Sequence, residues 1–160
     1  MCKVNIWEFH HTIKGYCGGI DCEKAGYDTT HGKPEVIIVF EDAFREPVPN
    51  AGQFEDKYRA KHRYIIRFTG AYCSLRIRHC GPAHNSPIND WIRQGLIQDP
   101  PILVFKLTES EYIDWANEMQ FCGDYQEKIP GLVHYYFETL DDQIIEVVDD
   151  EEPVIEVEYL

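Results

Sequence analysis

A chain of 160 residues with 44% hydrophobic and 13% aromatic residues can bury roughly two thirds of its unfolded surface, which excludes global disorder. Its formal charge of −13 opposes direct binding to nucleic acid or anionic membrane, and no apolar run approaches the roughly 20 residues of a membrane-spanning helix. The polar N-terminal stretch lacks a signal-peptide core, so a cytosolic (cytoplasmic) location is expected, with the six cysteines read as thiols or metal ligands.

In chain order, Val4–His10 is rich in β-branched and aromatic residues and predicts a strand. His11–Pro34 contains five glycines and reads as a long irregular connection, with a short helical turn near Asp21–Ala25. Glu35–Glu41 is a continuous apolar run bounded by charges, the pattern of a central strand buried on both faces. Asp42–Lys57, with Pro47, Pro49, Asn50 and Gly52, marks a loop.

Arg63–His79 reads as a β-hairpin turning at Gly70-Ala71. In that register Phe68 faces Cys73, Ile66 faces Leu75 and Tyr64 faces Ile77. Arg63, Arg67, Arg76 and Arg78 then share the opposite face around Ile65.

Ser86-Pro87 predicts a helix cap followed by a short helix to about Leu96, and Ile102–Leu107 a strand. Thr108 and Glu111 form a capping box for a second helix that places Tyr112, Trp115, Ala116 and Met119 on one side, with Cys122-Gly123 as its stop. Strands follow at Leu132–Leu140, Ile144–Val148 and Val154–Tyr159. The expected class is α+β: a single domain over residues 1–160, a mainly antiparallel twisted sheet of about seven strands, and two short helices packed on one face or end.

Charge is unevenly placed. Residues 1–80 hold 12 Lys and Arg against 10 Asp and Glu, whereas residues 81–160 hold 3 against 18. The acids Glu146, Asp149, Asp150, Glu151, Glu152, Glu156 and Glu158 are the candidate partner-binding surface. Alternate strand residues lie about 6.6 Å apart, so Glu156 and Glu158 can present a regular negative row. Such a row could occupy the basic, nucleic-acid-binding type of surface on a partner protein and inhibit it. The comparison by charge is with small acidic inhibitors that phages use against host defences.

The four arginines are a candidate anion-binding face, unless the final strand lies beside the hairpin and pairs Glu156 and Glu158 with its arginines. No cofactor signature is present. Cys17, Cys22, Cys80 and His84 have the count for a tetrahedral zinc site and the alternative of a zinc-stabilised binding module, at looser spacings than zinc knuckles. Cys73 reads as a core thiol.

An enzyme is the further alternative. Phe9-His10-His11-Thr12 at a strand end, together with a late glutamate at Glu156 or Glu158, resembles the layout of ADP-ribosyltransferases. The resemblance implies a histidine holding the nicotinamide ribose, and it covers only these few residues.

Overall fold

The computed structural model describes residues 4–6, 17–46, 57–79, 86–97, 104–120 and 128–160. Its strands form two five-stranded antiparallel sheets. Sheet A has the order β1 (Val4–Ile6), β7 (Val104–Leu107), β8 (Val133–Glu138), β9 (Gln143–Asp149), β6 (Ser74–His79). Sheet B has the order β10 (Val154–Tyr159), β5 (His62–Phe68), β3 (Glu35–Glu46), β2 (Cys17–Asp28), and β4 (Lys57–Arg59) also pairs with β3. The α+β class holds, but the single sheet expected from the sequence is two.

The inner faces of the sheets meet in one core. Val36, Ile38, Phe40, Tyr64, Ile66 and Phe68 come from sheet B, and Val104, Tyr135, Phe137, Ile145 and Val147 from sheet A. β3 is the predicted central strand, with residues 36–40 buried on both faces. It continues to Glu46, through the first part of the expected loop. The glycine-rich connection is also a strand over Cys17–Asp28, paired along β3 with register shifts after Cys17 and Cys22. One shift is placed by Gly19, whose φ of +145° suits glycine and whose Cα lies against the Leu140 side chain.

The largest departure is at Arg63–His79. β5 and β6 do not pair: β5 lies between β10 and β3, whereas β6 pairs with β9 across the core. Alternation correctly puts Phe68, Ile66, Cys73 and Leu75 inward. That pattern is satisfied equally by strands side by side on one face and by strands facing each other across a sandwich.

The crossing is fastened by the acidic turn after β9. Asp149 Oδ2 accepts from Gly70 N (3.2 Å) and Asp150 Oδ1 from Tyr72 N (3.1 Å). Asp149 Oδ1 also accepts from Asp150 N at 2.8 Å, ordering its own turn. The Cys73 thiol beside the crossing packs on the core, and burial pushes its pKa up to about 12.

Two helices cover the outer face of sheet A. α1 (Pro87–Arg93) opens at the predicted cap, with Ser86 Oγ accepting from Ile88 N at 3.2 Å. Ile88 and Trp91 pack on Phe105, Leu107, Tyr136 and Ile144. α2 (Glu111–Gln120) is capped by Ser110, whose Oγ accepts from Ile113 N at 3.2 Å, not by Thr108. Its buried face is Tyr112, Ile113 and Ala116, so Trp115 and Met119 point to solvent, contrary to the expectation. The Cys122-Gly123 stop lies outside the described residues.

A Cβ on Gly70 would fall within the Asp149 and Asp150 carboxylates. Gly70→Ala should therefore destabilise the protein by about 2 to 4 kcal/mol in denaturant unfolding, in the range of a steric clash that also breaks a buried hydrogen-bond network. A loss below about 0.5 kcal/mol would show that the crossing does not depend on this contact.

Candidate functional site

β8 and β9 place a polar cluster between sheet A and α2. Glu146 is paired in register with Arg76 on one side and Tyr136 on the other. Its side chain is 2% exposed. Arg76 Nε and Nη2 donate to Oε2 and Oε1, both at 2.8 Å. Arg78 donates to the same two oxygens at 2.8 and 3.3 Å. Arg76 also lies over the Tyr112 ring, 4.1 Å from its centroid, and Tyr112 shares a hydrogen bond with Ser74. Burial opposes the Glu146 charge, but His134 and the two guanidiniums overcome it and hold the carboxyl pKa down at about 2.

Ser110, His134 and Glu146 form a hydroxyl–imidazole–carboxylate chain. Ser110 Oγ is 2.9 Å from His134 Nδ1, and His134 Nε2 is 3.3 Å from Glu146 Oε1, without the alignment of a full hydrogen bond. An ionised carboxylate cannot donate, so the imidazole proton belongs on Nε2 and Nδ1 accepts from the serine. The layout is that of a nucleophile, a base and an orienting acid, with the acid also held by two arginines.

In a working triad the carboxylate stabilises the imidazolium that forms. Here two arginines already engage the glutamate. Burial is the largest influence on His134 and lowers its pKa; Glu146 pulls it back up, and Arg76 and Arg78 lower it by less. The cluster keeps His134 neutral and ties the start of α2 to β8. A second buried pair, His62 Nδ1 with Asp42 Oδ2 at 2.5 Å, is also structural. Asp42 Oδ1 accepts from the amides of Lys61 and His62 at 2.8 and 2.9 Å, fixing the start of β5.

The predicted partner-binding acids do not form one free surface. Glu146 and Asp149 are buried, 1% and 0% exposed, and Asp149 and Asp150 hold the crossing. Glu152 Oε2 pairs with Lys106 Nζ at 2.9 Å. Glu158 is 3.3 Å from Arg63, and Glu156 is 4.0 Å from Arg67. Glu151 is exposed, with no cation within 4 Å among the described residues.

The arginines divide between the sheets. Arg76 and Arg78 clamp Glu146. Arg63 is bonded to Glu23 at 2.6 Å, and Arg67 has Asp28 and Glu35 at 3.9 and 3.8 Å. The arginines lie on two sheets and not on one hairpin face; Arg63, Arg76 and Arg78 hydrogen-bond to carboxylates, whereas Arg67 has carboxylates only at 3.8 to 4.0 Å and its buried Nη1 has no hydrogen-bond partner.

Among the other expected residues, Cys80, His84, His10 and His11 lie outside the described residues, as does the Cys17 side chain. Cys22 is a half-buried thiol whose pKa burial raises to about 11. Among the described residues no group of three His, Cys, Asp or Glu is arranged to hold a metal, and no helix is long and apolar enough to cross a membrane.

Among the described residues, the outer face of α2 combines exposed apolar and acidic side chains. Trp115 is 45% and Met119 59% exposed. Glu111, Asp114 and Glu118 are exposed around them. Among the described residues no cation lies within 4 Å of Glu111 or Glu118, and Asp114 has only Lys128 at 3.8 Å, itself 81% exposed. Beneath the first turns of α2 is a cavity of about 490 Å³.

Neither the cluster nor this face was found by sequence reasoning. Glu146 had a visible signal, a lone charge within Ile-Ile-Glu-Val-Val, which argues for burial with a partner. His134 had a weaker one, since strand alternation puts it on the face of Tyr136.

Glu146 has a folded pKa of about 2 against 4.5 when unperturbed. A depressed carboxylate stabilises the fold above the unfolded value and loses that contribution as pH falls through the folded one. Glu146→Gln should cost about 3 kcal/mol at neutral pH. The gap from the parent protein should shrink as pH falls from about 4.5 towards 2, which denaturant titrations at several pH values will measure. A pH-independent gap would mean that the carboxylate charge is not what matters. No protein-family model, curated protein or solved structure matches the chain.

Proposed function

We propose that this protein acts by binding a cationic surface on another protein and blocking it, with α2 as the principal contact. The observation that carries this reading is the exposed group Glu111, Asp114 and Glu118, whose only cationic neighbour within 4 Å among the described residues is the well-exposed Lys128. The acids of β10, by contrast, sit beside Arg63 and Arg67.

Distance-dependent screening explains why this difference matters. A carboxylate with a guanidinium at 3 to 4 Å presents little net field beyond the Debye length of about 8 Å, whereas unpaired carboxylates on one helix face add. The overall negative charge supports steering towards cationic proteins and opposes nucleic acid. A nucleic-acid-binding surface, already basic, is the class of target that such an inhibitor would occupy.

The test is capture from cell extract at low and high salt, followed by affinity measurements on the purified partner. Joint Glu111→Lys and Glu118→Lys substitution should weaken binding by about tenfold or more and flatten its salt dependence. Joint Glu156→Lys and Glu158→Lys substitution should change it by less than about threefold, because those charges are locally offset. The reverse ranking would return the contact to β10, and salt-independent capture would remove the electrostatic reading altogether.

A further inference from the structure

The α2 face is more than a row of charges. Trp115 and Met119 are one helical turn apart, about 6 Å along the axis. Glu111 continues their line by another turn, and Asp114 and Glu118 run beside it. The result is an apolar pair bordered by carboxylates. Trp115 is backed by Tyr112, with ring centroids 5.4 Å apart, and Tyr112 rests on Arg76. The indole is therefore a supported platform, not a loose side chain.

The cavity adjoins the same face. Glu111 and Asp114 belong to both, and Glu109 joins them at the exposed rim. Ile113, Ile129 and Leu132, each 7% exposed, supply its apolar lining. The lining is mainly polar, with Thr108, Ser110 and Asn117 beside the acids and a smaller apolar share, a mixture that suits a Lys or Arg side chain, whose methylenes take the apolar part while the charged end meets carboxylates and water. Lys128 at the rim is extended into solvent and pairs with Asp114 only at 3.8 Å, so an incoming cation can replace it.

We propose that the occupant of this face is a basic amphipathic helix of a partner protein. Its apolar stripe covers Trp115 and Met119, and one of its flanking Lys or Arg side chains enters the cavity below α2. This rests on the reading of α2 as the contact and names the partner's form. Charge alone would accept any polycation. The exposed Trp–Met pair requires apolar groups at matching helical spacing, and tryptophan and methionine are the residue types that anchor such contacts and adapt to them.

Two tryptophan-free Lys/Leu peptides of about 18 residues, long enough to hold a helix, provide the probe. They have one composition, with leucines at helical spacing in one and scrambled in the other. Binding is followed by protein tryptophan fluorescence and calorimetry at about 0.15 M salt. The patterned peptide should bind about tenfold or more tighter than the scrambled one, and Trp115→Ala or Met119→Ala should each remove most of that difference while leaving the scrambled peptide unchanged. Thermal melts of the variants separate loss of contact from loss of fold, and Met119 serves as the second test because it has no part in the Tyr112 stack.

Equal affinity for both peptides overturns the amphipathic-helix proposal and leaves the acidic contact standing. A pattern preference insensitive to both substitutions moves the anchor off α2 and also overturns it. Binding of neither peptide removes the proposal and the acidic contact together.

Discussion

The arrangement of the whole molecule depends on two carboxylates accepting backbone amides where the chain leaves one sheet for the other. Asp149 and Asp150, at the end of β9, receive the amides of Gly70 and Tyr72 between β5 and β6. Without that attachment, Phe68–Ser74 has every local feature of a tight hairpin. With it, β5 stays in sheet B, β6 is delivered to β9, and the two inner faces close on each other. The carboxylate is held against resistance, since burial pushes the Asp149 pKa up to about 6. A raised carboxylate stabilises least when ionised, so its charge opposes folding as pH rises through that value. Its amide hydrogen bonds offset that cost, and they require the oxygens as acceptors.

A second constraint is the polar side of β8, which seats both helices. Glu138 accepts from the cap residue of α1, Ser86 Oγ at 2.6 Å, and from Tyr136 OH at 2.8 Å. Four positions before Glu138 on the same face, His134 meets the cap residue of α2, Ser110. Each helix thus begins at a serine that satisfies its own first turn and is tied to the strand below. Helix placement follows from hydrogen bonds at the start and apolar packing along the length. The Glu146 cluster is the deeper part of this seat, tying β6, β9 and β8 to the start of α2.

Much of this was legible in the chain. The strands β3, β8, β9 and β10 and the Ser86-Pro87 cap are local signals, decided by alternation and cap chemistry within a few residues. Matching charge on alternating positions pointed β10 towards an arginine-bearing strand, and β10 does pair with β5, with Glu158 opposite Arg63, but Arg76 and Arg78 on β6 fit the same pattern. What was not legible is non-local. Alternation cannot say whether the apolar partner of Ile66 lies beside it or across a core. Nor could glycine content exclude β2, because paired β3 supplies the ladder that tolerates its bulges. On α2, either Thr108 or Ser110 could cap, and Ser110 wins through a histidine 24 residues away. That one shift helps set which side of the helix is buried.

The same non-local pairing decides where the protein's negative charge can act. A balance of −15 in the second half looks like an acidic face when read along the chain. In space, part of the expected patch serves the fold: Glu146 is held by two arginines and Asp149 and Asp150 by backbone amides, while the exposed Glu152, Glu156 and Glu158 have Lys106, Arg67 and Arg63 beside them. A charge that maintains the fold is a poor handle for a partner, because engaging it means breaking an existing contact. Exposed carboxylates that engage little beyond their own helix terminus, as Glu111 and Asp114 do in the first turn of α2, carry a smaller penalty. On α2 these flank an exposed Trp and Met, so the helix offers both the long-range attraction and the short-range apolar contact that association needs.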